Sequence, residues 1–335
     1  REKIFCCKSG RCARSWPING EDYPTSHARG LDRTCAARRG ALSCAHMAPL
    51  PLTMPGSKRR TFAQILPHLP RPTPGRGVVV PFFGTGADSY YMHQAGLRLD
   101  VLADGNPHLV SLLRSLREKP TETCAEARRL AADWPQSGEA QYDWYYEKRA
   151  AYCAAVLDPH VLHVDASRAA LFLLVWRTAF NRLLECNGRG IYNAPAGVSA
   201  KYPKRTIYDA DALAAFARWL GEVPPVSLAE YPETLARALP GDLAYLDPPY
   251  EGTFDGYFGK RFRTDDLVRE VRGAESRGVL WAMSNSMQAR WAADFPGATV
   301  LTVDRAGTVS CDGAGRGKVA EALVVGRSGL RAIAA

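Results

Sequence analysis

A carboxylate, two prolines and an aromatic residue follow an apolar run in the last third of the chain. Leu243 to Leu246 has no polar alternation, which is typical of a strand buried on both faces, and Asp247, Pro248, Pro249 and Tyr250 come directly after it. Ligands of an α/β sheet bind beyond the carboxyl ends of its strands. There the Asp247 carboxylate and the Pro248 carbonyl could accept the hydrogens of an exocyclic amine while Tyr250 stacks on a planar base. A proline-terminated strand in a solvent loop is the alternative, which accounts for the prolines better than for the whole tetrad.

A glycine turn lies earlier, between a predicted strand and a predicted helix. Phe83, Gly84 and Gly86 stand in "VVVPFFGTGAD", where glycines let backbone N–H groups approach a ligand closely. Asp104 ends the next predicted strand, 18 positions after Gly86, where an acid can accept hydrogen bonds from ribose hydroxyls. Ser89 takes the place of the third glycine of a dinucleotide site. Two interpretations stay open, a nucleoside-containing cofactor or a tight turn without a ligand, and Asp104 favours the first.

These residues must be positioned by strands and helices, which hydrophobic periodicity predicts in two blocks. The first block is the strand before Phe83, a short helix closed by Gly96 and the strand "LRLDVLAD". The second follows Pro240, with strand-like runs "LAYL", "GVLWAMSN", "ATVLTV" and "EALVV" and an amphipathic helix whose predicted N-cap is Thr264. Between them the sequence predicts helices in "HLVSLLRSLR", "YDWYYEKRAAYCAAVL" and "ASRAALFLLVWRTAFNRLL", then a polar loop over 187–205. The predicted fold class is α/β, an open sheet with a mainly helical lobe inserted between its halves.

Length and charge set the broad class of the protein. The chain has 335 residues and a formal net charge of +9, which fits an anionic partner without identifying it. No apolar run approaches the roughly 20 residues of a membrane span, and the first residues lack the apolar core of a signal peptide. We therefore expect a cytoplasmic protein without a membrane partner.

Residues 1–46 differ in composition from the rest of the chain. This segment contains nine Lys or Arg and four acidic residues, so it contributes +5 of the net charge. It has no hydrophobic periodicity. Five of the nine cysteines fall there without the C-x-x-C spacing of a zinc site, so we expect no metal. The segment is predicted to be a disordered basic arm or sequence upstream of the natural start, since Met47 precedes the first ordered pattern. An arm that grips DNA is a further alternative.

The glycine turn and the proline tetrad together resemble the cofactor and catalytic motifs of amino-group DNA methyltransferases. "FFGTG" and "LDPPY" carry that resemblance, and the chain from about Thr53 to Gly326 looks like the Dam-type, D12-class family of adenine N6 methyltransferases. "TMPGSKRRTFAQILPHLP", "LADGNPHLVSLL" and "RAALFLLVWRTAFNRLLECNGRGIYNAPAG" are similar to its opening segment, its Leu-Ala-Asp-hydrophobic-Asn-x-x-Leu stretch and its recognition lobe. The resemblance implies a Rossmann-like methyltransferase sheet with an inserted, mainly helical target-recognition lobe. It implies a catalytic domain that binds S-adenosylmethionine over 47–106 and 232–330, and a lobe over 107–231.

The resemblance also implies which residues form the site. The catalytic motif would be Asp247, Pro248, Pro249 and Tyr250, and the cofactor pocket would contain Lys58, Phe83, Gly84, Gly86, Asp104, Tyr231 and Asp247. A packing role explains Tyr231 equally well. Met54 stands where the family carries tryptophan, which softens one wall of the pocket. The implied reaction is methyl transfer from S-adenosylmethionine to the N6 amino group of an adenine flipped out of duplex DNA.

DNA contacts are implied for a loop of the recognition lobe, at Asn181, Glu185, Asn187, Arg189, Asn193, Lys201 and Lys204. Glu185 and Val198 stand where GATC-reading members carry arginine, and glutamate cannot donate to guanine as arginine does. We therefore expect a recognition sequence different from GATC. A solvated basic loop is the alternative explanation for the two lysines.

Two other functions fit the same residues. An enzyme acting on cytosine N4 or on an RNA base would use the same crevice, although Asp before Pro-Pro-Tyr favours adenine within this family. A non-catalytic DNA-binding protein is suggested by Met54 and Glu185. For the favoured function we expect double-stranded DNA as the partner, a monomer, no metal and an association with the nucleoid.

Overall fold

The computed structural model describes residues 50–54, 58, 61–156, 158–197, 206–249, 262–286, 290–306 and 318–329. Contacts divide the chain into two units, 1–42 and 43–335, and all described residues lie in the second. The described strands are β1 (Val78–Val80), β2 (Leu99–Asp104), β3 (Ser227–Leu228), β4 (Leu243–Leu246), β5 (Leu280–Ser286), β6 (Thr299–Ala306) and β7 (Lys318–Val325). The described helices are α1 (Phe62–Ile65), α2 (Ala87–Gln94), α3 (Pro107–Glu118), α4 (Pro120–Ala132), α5 (Gly138–Ala155), α6 (Ala166–Thr178), α7 (Ala210–Glu222), α8 (Tyr231–Ala236), α9 (Thr264–Ser276) and α10 (Arg290–Asp294).

The seven strands form a single sheet in the order β3-β2-β1-β4-β5-β7-β6. Strands β1 to β5 pair in parallel, whereas β7 lies between β5 and β6 and runs antiparallel to both. The chain moves outward from β1 through β2 to β3 and then returns to the other side of β1 with β4. The strand order therefore reverses between β1 and β4, which is where an open α/β sheet binds its ligands.

Helices cover both faces of this sheet. Val78 and Val80 of β1 belong to a core formed with α1 to α7, whereas Val79 belongs to a second core formed with α8, α9 and α10. β4 and β5 alternate in the same way, with Tyr245 in the first core and Trp281 in the second. Side chains on both faces of the central strands are buried, which explains why these strands are apolar without alternation.

The predicted α/β class and the predicted strand, glycine turn, helix and strand unit are confirmed. α2 ends at Gln94, and Gly96 follows with a φ of +79°, as expected for the residue that closes the helix. The three predicted lobe helices correspond to α3, α5 and α6, while α4 and α7 lie in stretches for which the sequence analysis gives no helix. β3, which pairs with β2, also comes from the range predicted as the lobe. The boundaries 47–106 with 232–330 and 107–231 stay a prediction, and residues 1–46 lie outside the described part of the chain.

Two predicted helix ends are wrong. α6 ends at Thr178 and does not extend to Leu184, because Ala179 is extended with a ψ of 155° and Asn181 and Arg182 then take left-handed φ values of 48° and 53°. Those residues begin a loop whose contacts are distant in sequence, so local helical periodicity does not apply to them. α9 begins one residue earlier than predicted, with Arg263 in the extended N-cap conformation and Thr264 as the buried first helical residue.

Candidate active site

Two predicted motifs meet where the strand order reverses. The glycine turn from Phe82 to Gly86 follows β1, and the segment from Asp247 to Pro249 follows β4. β1 and β4 are parallel neighbours with Val79 opposite Ala244. Both motifs therefore follow the carboxyl ends of adjacent strands, on the same side of the sheet, which we call the carboxyl edge. The structure thus brings Asp247 and Pro248, predicted to hold the target base, to the same end of the sheet as the glycine turn predicted for the cofactor.

Asp247 is held by a buried lysine. The Nζ atom of Lys58 lies 2.8 Å from Asp247 Oδ1 and 3.8 Å from Glu321 Oε1. The side chains of Lys58 and Glu321 are 1% and 2% exposed, whereas that of Asp247 is 21% exposed. Burying carboxylates is costly unless a cation compensates them, so both acids depend on Lys58. The exposed part of Asp247 remains accessible to a ligand.

Two hydroxyl groups complete the surroundings of Asp247. The Ser284 hydroxyl donates to Asp247 Oδ1 at 3.1 Å, and the Tyr245 hydroxyl lies 3.2 Å from Ser284 Oγ. The pKa of Asp247 is raised overall, because burial raises it by more than the Lys58 ammonium and the Ser284 hydroxyl lower it. An ionised carboxylate accepts up to about four hydrogen bonds, so lone pairs remain for an amine.

Asp104 and Gly84 are in direct contact at the other side of this edge. The Gly84 N–H donates to Asp104 Oδ2 at 2.8 Å, and the Asn106 N–H donates to Oδ1 at 2.9 Å. The pKa of Asp104 is raised overall, because burial raises it by more than these two N–H groups lower it. Each carboxylate oxygen has a further lone pair, so the carboxylate can hold the turn and still accept from a ribose hydroxyl.

The backbone of the turn requires both glycines. Gly84 and Gly86 have φ values of +55° and +76°. A Cβ at Gly86 would lie 2.7 Å from Cζ of Phe83, whereas one at Gly84 would meet only Sδ of Met54, at 3.8 Å. Phe83 is 4% exposed and its ring stacks on Trp219 with 6.4 Å between centroids, so this ring shapes the turn from inside the core. The more open side of the turn is at Gly84.

Three aromatic rings pack near the same edge. The rings of Phe82 and Tyr231 are stacked with 5.3 Å between centroids, and Phe262 lies 6.3 Å from the first and 6.0 Å from the second. All three are partly buried against the second core. The packing role expected as one alternative for Tyr231 is therefore present. Phe82 is missing from the predicted site residues, and its position directly before the glycine turn was the signal that could have identified it.

Residues 179–197, which we call the recognition loop, follow α6. Isolated antiparallel bridges join Ala179 to Ala196 and Cys186 to Tyr192. Asn187 Oδ1 accepts hydrogen bonds from the backbone N–H groups of residues 189 and 191, at 2.9 and 3.1 Å. The side-chain oxygen of this predicted DNA contact therefore binds within the loop itself. All five predicted DNA contacts in this loop, Asn181, Glu185, Asn187, Arg189 and Asn193, are exposed or half-exposed.

Side chains of α5 and α3 hold the recognition loop through its carbonyl groups. The Tyr145 hydroxyl donates to the Ala194 carbonyl at 2.6 Å, and Arg149 Nη1 donates to the same oxygen at 2.8 Å. On α3, Nε2 of His108 lies 2.9 Å from the Gly190 carbonyl, and burial lowers the pKa of this histidine. A neutral imidazole protonated at Nε2 satisfies that contact. The loop is therefore fixed to two helices of the lobe.

Some predicted site residues lie outside the part of the chain that the structure describes. These are Tyr250 of the catalytic motif, Val198, and the predicted phosphate contacts Lys201 and Lys204. Among the described residues, no group of His, Cys, Asp or Glu could hold a metal ion. No helix within the described ranges is both long and apolar enough to cross a membrane.

The seven-stranded α/β sheet and its two motifs define a Rossmann-like methyltransferase. Residues 55–299 match the family of D12 class N6 adenine-specific DNA methyltransferases, and the chain belongs to this family. It is 30% identical over 280 residues to a DNA adenine methylase of Vibrio cholerae, covering 81% of this chain and 93% of the relative. A DNA adenine methylase of Escherichia coli K12 is 28% identical over 288 residues, which cover 82% and 94% of the two chains. The Type II methyltransferase M1.LlaDCHI of Lactococcus lactis is 23% identical over 280 residues, covering 80% and 92%.

These comparisons settle the class of the enzyme. The protein is a DNA methyltransferase specific for adenine N6, which confirms the predicted family, fold class and activity, with DNA as its partner. The alternatives of cytosine N4 and RNA do not agree with an adenine-specific family.

Four polar residues around the site are absent from the sequence-based prediction. Tyr245 and Ser284 line Asp247, Glu321 shares Lys58 with it, and the Asp88 carboxyl interacts with Tyr245 from α2. A polar residue within an apolar strand is the only local signal at Ser284 and Glu321. Asp88 stands in "GTGAD" immediately after the predicted turn and could have been singled out there.

Proposed function

We propose that this protein transfers a methyl group from S-adenosylmethionine to the N6 amino group of adenine, with the base held outside the duplex by Asp247 and the Pro248 carbonyl. The partly exposed Asp247 carboxylate, paired with buried Lys58 where the strand order reverses, is the observation that carries this proposal. When bound, S-adenosylmethionine would supply an electrophilic methyl group on a sulfonium centre.

The residues at this edge of the sheet fit that cofactor. Gly84 gives a turn with a positive φ and an open side, and Asp104 has lone pairs left for ribose hydroxyls. Oδ1 of Asp88 is buried and has no hydrogen-bond partner among the described residues. Two carboxylates, Asp247 and Glu321, share the single ammonium group of Lys58, which suits a ligand that carries sulfonium and ammonium charges. We propose that the cofactor is held by Lys58, Phe83, Gly84, Gly86, Asp104, Tyr231 and Asp247.

Asp247 and Pro248 act on the base by position and charge. N6 of adenine is inaccessible in a stacked duplex, so the base must be flipped out at a cost of a few kcal/mol. One amino hydrogen is then donated to the Asp247 carboxylate and the other to the Pro248 carbonyl, which orients the nitrogen lone pair away from both. The charge of Asp247 stabilises the positive charge that develops on the nitrogen. Stacking on Tyr250 and a catalytic position for Pro249 remain part of the proposal.

Removal of the Asp247 carboxylate tests this assignment. We expect Asp247→Ala to fold, because Lys58 keeps Glu321 as a partner, and to lose at least about 100-fold in the single-turnover rate of methyl transfer. Binding of S-adenosylmethionine, measured by calorimetry, should be weakened far less than the rate. Asp133→Ala, at an exposed acid that caps the end of α4, is the control and should behave as the parent. Near-parental transfer by Asp247→Ala would remove Asp247 from the mechanism.

We further propose that the recognition loop reads DNA sequence through Glu185. Its side chain is half-exposed, and no described residue forms a hydrogen bond or ion pair with its carboxylate. A carboxylate cannot donate to guanine O6 or N7, but it can accept from the N4 amino group of cytosine, a discrimination worth about 1–3 kcal/mol per base pair. The methylated sequence should therefore differ from GATC at the position that Glu185 reaches.

Methylation-site sequencing of the parent and of Glu185→Arg, at the same salt concentration, tests this reading. We expect the variant to shift its preference toward guanine at one position while still transferring methyl groups. Glu147→Arg on α5 makes the same change of charge at a side chain that is 71% exposed and serves as the control. If the parent methylates GATC with ordinary fidelity, or if parent and Glu185→Arg methylate the same sequence, Glu185 does not read DNA.

A further inference from the structure

The two oxygens of the Asp247 carboxylate have different surroundings. Oδ1 accepts from Nζ of Lys58 at 2.8 Å and from the Ser284 hydroxyl at 3.1 Å. Among the described residues, none donates to Oδ2. The side chain of Asp247 is 21% exposed, whereas Lys58 and Ser284 are each 1% exposed. The accessible part of the carboxylate is therefore the part that faces away from these two donors.

Ser284 reaches Asp247 because their strands are neighbours in the sheet. Leu246 of β4 lies opposite Met283 of β5, so the residues that follow them, Asp247 and Ser284, are adjacent as well. Side chains alternate along a strand, which places Ser284 on the face opposite to Met283. Tyr245 occupies that same face in the first core, and its hydroxyl oxygen lies 3.2 Å from Ser284 Oγ.

The hydrogen bonds around Ser284 have a defined direction. A hydroxyl group has one hydrogen, and Ser284 gives its hydrogen to Asp247, because an ionised carboxylate can only accept. Tyr245 must therefore be the donor in its contact with Ser284. Both hydroxyl groups are buried, so the hydrogen of Tyr245 keeps the hydrogen of Ser284 directed at the carboxylate.

From this geometry we infer that Ser284, directed by Tyr245, is a positioning residue for methyl transfer. Together with Lys58 it holds Oδ1 of Asp247, so that Oδ2 is the oxygen that accepts a hydrogen of the target amine. The inference rests on the proposed role of Asp247 in holding that amine. It adds a requirement on β5, outside the proline tetrad, for the orientation of the carboxylate.

Two donors fix the carboxylate more firmly than one. The Lys58 ammonium acts as a point charge with rotatable donors, so alone it would hold Oδ1 at the right distance but let the carboxylate turn about its Cβ–Cγ bond. The Ser284 hydroxyl comes from the neighbouring strand and sets the plane of the group. This orientation matters because a misplacement of about 1 Å in an active site can cost about a hundredfold in rate.

The experiment compares single-turnover rates of methyl transfer in the parent and in Ser284→Ala. We expect the variant to lose about ten- to a hundredfold in rate, because a hydrogen bond to a charged group is removed and the carboxylate can turn. Affinities for duplex DNA and for S-adenosylmethionine should change far less. Ser284→Cys, which has a weaker donor, should have an intermediate rate. Ser115→Ala is the control, since it removes another buried hydroxyl, which donates to the Asp165 carbonyl in the lobe.

The pH profile of the rate separates positioning from a general loss of structure. The Ser284 hydrogen bond lowers the pKa of Asp247, and the proposed role of Asp247 requires the ionised carboxylate. Ser284→Ala should therefore raise this pKa and shift the acidic limb of the profile to higher pH, whereas Ser115→Ala should leave the limb in place. The other described titratable groups that interact with Asp247 are the same in both variants, and these are Lys58, Asp88, Tyr245 and Glu321.

Tyr245→Phe tests whether the second hydroxyl acts through Ser284. The loss in rate should be smaller than in Ser284→Ala, because Ser284 can still donate, and the double variant should be no slower than Ser284→Ala alone. Losses that multiply in the double variant would contradict the inferred arrangement.

A parental rate in Ser284→Ala, or a loss in rate without a shift of the acidic limb, would overturn the inference. Ser284→Cys provides the same two readouts if Ser284→Ala does not fold. Asp247→Ala, measured in the same series, separates the two ideas, because near-parental transfer in that variant contradicts the proposed function instead.

Discussion

At the scale of single residues, the site depends on one buried cation. Lys58 faces the carboxylates of Asp247 and Glu321, and its side chain is 1% exposed. A buried ion pair adds little stability compared with apolar packing, but removal of one partner leaves charges without compensation. Lys58 therefore matters for the fold of the site as well as for its chemistry.

We expect Lys58→Met to lower the free energy of unfolding by about 3–5 kcal/mol, because buried Glu321 and partly buried Asp247 lose a counter-ion. Denaturant unfolding measures this change. The loss should shrink at lower pH, because burial raises the pKa of Asp247 and protonation relieves its charge once the Lys58 ammonium is gone. Lys148→Met is the control, since its partner Glu147 is 71% exposed and such surface pairs contribute about 0–1 kcal/mol. Equal losses in the two variants would show that Lys58 is not needed as a counter-ion.

Gly86 is required for two separable reasons, its left-handed backbone and its contact with Phe83. Gly96 has a similar φ of +79° but open space around its Cβ position. Gly96→Ala should therefore cost about 1–2 kcal/mol, the penalty of an ordinary residue in that conformation. Gly86→Ala should cost clearly more and should also weaken cofactor binding, because the Phe83 ring must move. Thermal unfolding and calorimetry measure both effects, and equal costs at the two glycines would contradict the predicted clash.

At the scale of elements, the recognition loop takes its shape from helices elsewhere in the sequence. Tyr145 on α5 and His108 on α3 bind carbonyl groups of the loop. Tyr145 is 0% exposed and cannot touch DNA, so any effect of its hydroxyl on DNA binding must act through the loop.

We expect Tyr145→Phe to weaken DNA binding about two- to tenfold, because one hydrogen bond that fixes the loop is worth about 0.5–1.5 kcal/mol. Binding of S-adenosylmethionine should not change. Tyr208→Phe is the control, since that hydroxyl donates at 3.0 Å to the Cys124 carbonyl in another part of the lobe. Fluorescence anisotropy with labelled duplex DNA measures both variants. Parental DNA affinity in Tyr145→Phe would show that the loop does not need this anchor.

The same loop shows where sequence-based prediction succeeds and where it fails. The strands around Gly84 and Asp247 could be predicted because burial on both faces leaves a continuous apolar run. The end of α6 at Thr178 could not, because the carbonyl groups of the loop after it are held by side chains 49 and 82 positions earlier in the chain. Ser284 could not be singled out either, because only the pairing of β4 with β5 brings its hydroxyl to Asp247.

At the scale of the whole molecule, the parts of the site come from distant segments joined by one sheet. β1 contributes the glycine turn and β4 contributes Asp247, while Glu321 comes from β7. Lys58 precedes α1 and pairs with Asp247 across 189 positions of sequence.

We expect residues 47–335 alone to fold and to methylate DNA as the full chain does. The segment 1–46 carries no predicted motif and no hydrophobic periodicity, so its removal should leave the melting temperature unchanged and the transfer rate within about twofold of the parent. A truncated protein that folds but no longer methylates DNA would show that the basic segment takes part in DNA binding.

The most direct test of the central claim is the identity of the methylated base. Duplex DNA is incubated with the full chain and isotopically labelled S-adenosylmethionine, digested to nucleosides and analysed by mass spectrometry. We expect labelled N6-methyladenosine in its deoxy form with the parent and only traces with Asp247→Ala. Labelled N4-methylcytosine as the product, or equal labelling by the two proteins, would contradict adenine N6 methylation at the Asp247 site.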